Sequence, residues 1–213
     1  MRLMTGTNRT ITSKTPFEHR RRAVTAAFAV VALVAATCAP SRWGVETIAG
    51  WCFFSTAVVM TAVGALGRLW AGIFIAGRKS THLVTCGPYS LCRNPLYFFS
   101  AVAAVGVSFS TSTFSFPLAL CAIFALYYPA LIAIEERRLH ARHGKAFEEY
   151  RRSTPAFWPR LSNYQEPVTY EFPPRVMRKN IVDAVCFWLL LGAGHILAEF
   201  HSEGLLPAIW KVW

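Results

Sequence analysis

Five apolar stretches punctuate the chain, separated by polar, basic segments. They run over Ala23–Ala39, Ile48–Leu66, Pro95–Ser110, Phe114–Ile134 and Ile181–Phe200. A helix rises about 1.5 Å per residue, so roughly 20 residues cross a hydrocarbon core about 30 Å thick. The second, fourth and fifth stretches meet that length, and the first and third fall short of it. Lipid offers no partner to an open backbone amide or carbonyl, so each stretch is predicted to be helical. The pattern therefore predicts an all-α integral membrane protein of about five transmembrane helices.

The polar positions set the organisation between the spans. A basic arm occupies residues 1–22, a transmembrane hairpin residues 23–67, and a central region of loop, two spans and short helices residues 68–160. A loop over 161–180 leads to the last span and a short tail at 181–213. The short Pro40–Thr47 loop joins the first two spans, and the third and fourth turn around Ser112 with almost no linker. Beyond the fourth span Glu135–His143 continues the helix, and Gly144 is the natural stop. Lys145–Arg152 then reads as a short helix with Phe147 and Tyr150 on one side, ended by Pro155 and Pro159. Trp210 and Trp213 fit an interfacial belt.

Composition agrees with this pattern: 54% of the 213 residues are hydrophobic and the mean hydropathy is +0.35. The net charge of +11 has a topological meaning. Six basic residues lie at or before Arg22, four from Arg68 to Arg93 and ten from Arg137 to Lys179. With five spans and a cytoplasmic N-terminus, all three segments fall on the cytoplasmic side, as the positive-inside rule requires. No basic-aromatic groove accompanies the charge, which argues against nucleic acid as a partner. Arg20-Arg21-Arg22 before an apolar run resembles a signal peptide, but an uncleaved first span is the expectation. Cys38, Cys52, Cys86, Cys92, Cys121 and Cys186 are scattered without metal-ligand spacing, so neither a disulfide framework nor a metal site is predicted.

Candidate chemistry gathers in two clusters flanking the third and fourth spans. In the first, Gly87-Pro88-Tyr89 sets a turn that exposes backbone groups. Arg93-Asn94-Pro95 follows, where Asn94 suits an N-cap and Pro95 the first helical turn. The second cluster is Glu135-Glu136, then Gly144, Tyr150 and Pro155. Adjacent acids at the end of an apolar helix oppose both the charge bias and the helix dipole. Helical neighbours point about 100° apart, so one acid can face the bundle and seek a cation while the other meets a basic collar. Of the histidines, His82 is the one placed to take part.

Together these clusters are a resemblance. The order Thr81-His82-Leu83-Val84-Thr85, Gly87-Pro88-Tyr89, Arg93-Asn94-Pro95-Leu96-Tyr97, two spans, Glu135-Glu136, Gly144, Tyr150, Pro155 resembles the integral-membrane methyltransferases. These include isoprenylcysteine carboxyl methyltransferases and phospholipid N-methyltransferases. The resemblance spans about Arg68 to Pro159 and implies S-adenosyl-L-methionine as cofactor at the cytoplasmic membrane boundary, with a lipid or lipophilic acceptor. It implies cofactor contacts from Thr81, His82, Leu83, Val84, Tyr89, Asn94, Pro95, Leu96 and Tyr97, with Glu135 taking the cofactor's amino group. Glu136, Arg93 and Tyr97 are then the candidate catalytic residues, Arg93 facing either the cofactor carboxylate or Glu135. The isoprenylcysteine enzymes carry a substrate-contacting arginine four residues before the first glutamate, where this chain has Leu131, and this leaves the acceptor open. Two other readings compete: an NADPH-dependent membrane reductase of the sterol-reductase type, and a membrane scaffold without catalysis.

Overall fold

A computed structural model describes residues 43–76, 82–167, 169 and 174–206. The arm, the Ala23–Ala39 span, Gly77, Arg78, Lys79, Thr81, Trp210 and Trp213 lie outside the described residues. Helices supply all the regular structure among those described: α1 (Ile48–Phe74), α2 (Pro88–Leu91), α3 (Pro95–Phe109), α4 (Ser115–His143), α5 (Lys145–Ser153) and α6 (Pro174–Ser202), with one 3₁₀ turn at Leu161–Asn163. α1, α4 and the Met177–Ser202 part of α6 are long and apolar enough to cross a membrane, and α3 is a shorter apolar helix. The protein is an all-helical integral membrane protein.

Local chemistry explains the boundaries. Thr47 caps α1, its hydroxyl oxygen accepting from the Gly50 amide at 3.0 Å. α1 does not end with the apolar run at Leu66; it continues to Phe74 and carries Arg68 on its last turns. The loop expected from Arg68 thus begins two turns later. Gly144 ends α4 with φ of +52°, a conformation open to glycine, as the sequence predicts. His140, Arg142 and His143 occupy the last turn of α4, where the dipole favours cations. α6 starts at Pro174, ahead of the Ile181 boundary.

α1 packs most extensively along α3, with α6 closing against both, while α4 rests on α3. Small residues permit the α1–α3 approach. A Cβ on Gly64 would stand 2.2 Å from the Ala103 amide nitrogen, and one on Gly106 2.6 Å from that of Thr61. Close backbone packing of this kind is what holds helices together where lipid removes the hydrophobic incentive. At one end Phe53, Phe109 and Phe114 interlock, Phe53 and Phe114 at 4.7 Å between centroids. At the other, Ala71, Phe74 and Tyr89 form a buried cluster, with Trp70, Val84, Leu96 and Phe99 packed against it. The two motif clusters of the sequence lie at this second end.

Candidate functional site

The site is built on the turn between α1 and α3. Gly87 adopts φ of +60°, and the Phe74 ring lies 2.1 Å from where a Cβ would stand, so both backbone and packing demand glycine. The Gly87 amide donates to the Gln165 carbonyl at 2.7 Å. The Ser90 hydroxyl donates to the Gly87 carbonyl at 2.7 Å and accepts from the Gln165 amide at 3.0 Å. Further on, the Arg93 amide donates to the Pro155 carbonyl at 2.8 Å and the Arg160 amide to the Leu91 carbonyl at 3.0 Å. Residues 155–165 are therefore laced along the turn backbone to backbone. Asn94 stands at the start of α3, but its side chain does not cap it. The amide nitrogen instead donates to the Ala156 carbonyl at 3.0 Å.

Arg93 is consumed by the protein. Its Nε and Nη2 both lie 2.8 Å from Oε1 of Glu136, and Nη1 donates to the carbonyls of Arg151 at 3.0 Å and Thr154 at 2.5 Å. The two side chains are 9% and 15% exposed, so this is a sheltered, multiply bonded ion pair joining α3, α4 and the end of α5. The pairing with Glu135 expected as one option for Arg93 is not the one formed. Around this clasp, burial pushes the Cys92 thiol up to about 11, against the opposing pull of its bond with Asn94 and of the Arg93 charge. Burial above all, with Cys92 adding to it, also raises the Tyr150 phenol, whose hydroxyl donates to the Tyr89 carbonyl at 2.6 Å.

Glu135 is placed differently. Tyr128 and Leu131 are two of the buried residues of α4. Steps of three and seven residues keep one helical face, so Glu135 continues the face carrying Leu131 and Tyr128, whereas Glu136 turns about 100° away toward Arg93. Glu135 is half-buried and makes no hydrogen bond or ion pair among the described residues. A pocket of about 340 Å³ opens at the loop after α1, lined by His82, Leu83, Val84, Thr85 and Cys86.

The structure thus brings Val84, Tyr89 and Leu96 into one apolar cluster, with His82 and Leu83 on the neighbouring pocket wall. Pro95 is fully buried at the start of α3. Tyr97 packs on Tyr128 at 5.3 Å between ring centroids, in an aromatic wall that Phe98, Phe157 and Trp158 extend. Thr81 lies outside the described residues. The carbonyls of Thr154 and Ala156 and both backbone contacts of Gln165 had no signal in the sequence, because a backbone group carries none. Arg68 and Asp183 did carry one: each is a charge inside an apolar helix. Among the described residues no three His, Cys, Asp or Glu are grouped to hold a metal ion.

A family model for phospholipid methyltransferases matches residues 42–146. The nickel-cobalt-cadmium resistance protein NccN of Alcaligenes xylosoxydans xylosoxydans is 38% identical over 157 residues, covering 74% of this chain and 73% of that protein. The cobalt-zinc-cadmium resistance protein CzcN of Cupriavidus metallidurans is 40% identical over 148 residues, covering 70% and 68%. The chain belongs to the integral-membrane methyltransferase superfamily. No solved structure matches it significantly. The stretch matched by the phospholipid methyltransferase model contains the turn, Arg93 and both glutamates, whereas Tyr150, Thr154, Ala156 and Gln165, which cover the turn, lie beyond it.

Proposed function

We propose that this membrane methyltransferase homologue uses S-adenosyl-L-methionine to methylate a lipid or lipophilic acceptor at the cytoplasmic boundary of its membrane. The observation that carries the reading is the division of labour between two adjacent acids. Glu136 is neutralised by Arg93, while Glu135, one residue earlier, lies on the inner face of α4 and makes no ion pair among the described residues. An unpaired carboxylate in a half-dry site favours a ligand ammonium. The residues fit the cofactor in kind: a carboxylate for its amino group, loop backbone at Leu83 and Val84 for its polar edges, and the Val84–Tyr89–Leu96 cluster for its flat base. When bound, it supplies an already activated methyl group, so the protein's main task is to hold donor and acceptor in line.

The remaining assignments follow from that frame. Arg93 and Glu136 hold the site together, and Tyr97 lines it beside Tyr128. His82 and Tyr97 are the candidates to remove a proton from an amine acceptor, Glu136 being held by Arg93. Apolar Leu131 offers no cation for a carboxylate acceptor. The basic segments put the N-terminus and the cofactor site on the cytoplasmic side. Two relatives carry the names of metal-resistance proteins, which supports a role in metal resistance; the acceptor in this reading is a membrane component reached laterally between helices.

Calorimetry on detergent-purified protein tests the reading. Wild type is expected to bind S-adenosyl-L-methionine and not NADPH. Glu135→Gln should weaken that binding by roughly ten- to a hundredfold, the scale of about 1.5–3 kcal/mol for a charge-assisted hydrogen bond. NADPH binding would move the protein to the reductases, and binding of neither would favour a scaffold.

A further inference from the structure

A second polar locus lies on the seam between α1 and α6, linked to the motif through the Leu96 carbonyl. Arg68 Nη2 meets Asp183 Oδ2 at 3.2 Å, and Nη1 donates to the Ser100 hydroxyl, which in turn donates to the Leu96 carbonyl. The two charged side chains are 31% and 34% exposed, in contrast to the sealed Arg93–Glu136 pair. They form the floor of a cavity of about 220 Å³ whose walls are Cys186, Phe187 and Leu190. Those walls continue one face of α6 from Asp183, at steps of three, four and seven residues.

Depth in the bilayer decides what such a cavity meets. α1 has 27 residues, hence about 40 Å of length against a core of about 30 Å. Trp51, exposed near its start, suits the opposite interface, which leaves the excess length at the Phe74 end. Arg68 precedes Phe74 by six residues, or about 9 Å, and Asp183 follows the start of the apolar part of α6 at Met177 by the same interval. Both charges therefore sit where acyl chains give way to headgroups. Charges left a third open to hydrocarbon at that level are costly without a polar cover. The pair is neutral as a unit, yet among the described residues Arg68 Nε and Asp183 Oδ1 remain unused. Spare guanidinium N–H donors on one charge and a spare carboxylate oxygen on the other are complementary to a zwitterion and not to a simple anion. Phe187 and Leu190 offer the apolar track for its chains.

We propose that the α1–α6 seam binds a zwitterionic phospholipid, its phosphate at Arg68 and its ammonium at Asp183. This site is independent of the methyl-transfer reading.

The test uses the full chain purified in a maltoside detergent, with lipid retention read by native mass spectrometry against a titrated phosphocholine or phosphoglycerol lipid. A phosphocholine nitrogen is already fully methylated, so retention reports binding and not turnover. Wild type should hold the phosphocholine lipid about tenfold more tightly than the phosphoglycerol lipid. Asp183→Asn, which leaves Arg68 with Ser100, should invert that order. Cys186→Trp, which fills the cavity without touching the ion pair, should abolish retention of both lipids while thermal stability is kept. Equal retention of the two lipids by wild type, or an unchanged order in Asp183→Asn with retention surviving in Cys186→Trp, would overturn the proposal. Glu135→Gln should retain lipid normally, which separates failure here from failure of the cofactor assignment.

Discussion

Two arginine–carboxylate pairs of similar composition are put to different uses at the same end of the bundle. Arg93–Glu136 is nearly closed to its surroundings and ties α3, α4 and the segment after α5 through four contacts of one guanidinium. Arg68–Asp183 bridges α1 and α6 but stays a third exposed above a cavity. A saturated pair has nothing left to offer a ligand, so its value is mechanical. An unsaturated pair keeps spare N–H donors and a carboxylate oxygen and so can recognise something. The same contrast separates Glu136 from Glu135, though they are consecutive in the chain.

The sharpest way to break the comparison is Arg93→Gln. Removing one partner of a buried pair leaves the other charge uncompensated, and a loss of about 3–5 kcal/mol is expected in denaturant unfolding of the detergent-solubilised protein. In a variant keeping Cys92 as its sole cysteine, the same change should expose that thiol to alkylation. Wild-type Cys92, with its pKa raised to about 11 by burial, should react only after unfolding. Retained stability with a still-protected Cys92 would show that the clasp is not structural. Glu135→Gln marks the other side: its cofactor binding should fall while its unfolding free energy stays within about 0.5 kcal/mol of wild type. If stability falls as well, Glu135 belongs with the clasp and not with the ligand.

Tyr150→Phe should cost an intermediate amount, about 1–2 kcal/mol, since it removes the buried hydrogen bond that Tyr150 donates to the Tyr89 carbonyl at 2.6 Å. It should also loosen the turn, read as faster amide exchange at Gly87–Ser90. The smallest effect is expected at the exposed His140–Glu148 pair, 3.0 Å apart. The hydrogen bond from His140, and then its charge, holds the Glu148 carboxyl below its usual value. A lowered folded-state pKa stabilises above the ordinary carboxylate value, and this is lost as pH falls through the lowered one. His140→Ala should therefore flatten the acid end of the stability profile slightly and leave pH 7 activity untouched. A large shift at neutral pH would contradict an exposed pair.

Much of this was legible without coordinates, for physical reasons. Lipid enforces helices, so apolar length gave the class, and Thr47, Gly144 and the polar turn at Ser112 sit at element boundaries that local chemistry dictates. Glycine at 87 was readable as a turn because few residues accept its backbone. The errors have one cause each. α1 outran its apolar stretch to Phe74 because Arg68, though charged, finds Ser100 and Asp183 within the bundle. Asn94 looked like a cap by type, but the Ala156 carbonyl, 62 residues away in sequence, claimed its amide.

By itself the sequence determined the helical membrane class, the two motif clusters and the family they resemble, because these depend on composition, period and order along the chain. Only the tertiary structure decided that Arg93 neutralises Glu136 and not Glu135. It also decided that a distant backbone strap covers the turn, and that Arg68 and Asp183 meet across a seam. Those outcomes rest on distances between residues far apart in the chain. The pairing of charges follows geometry and shelter from solvent, and no local pattern encodes either.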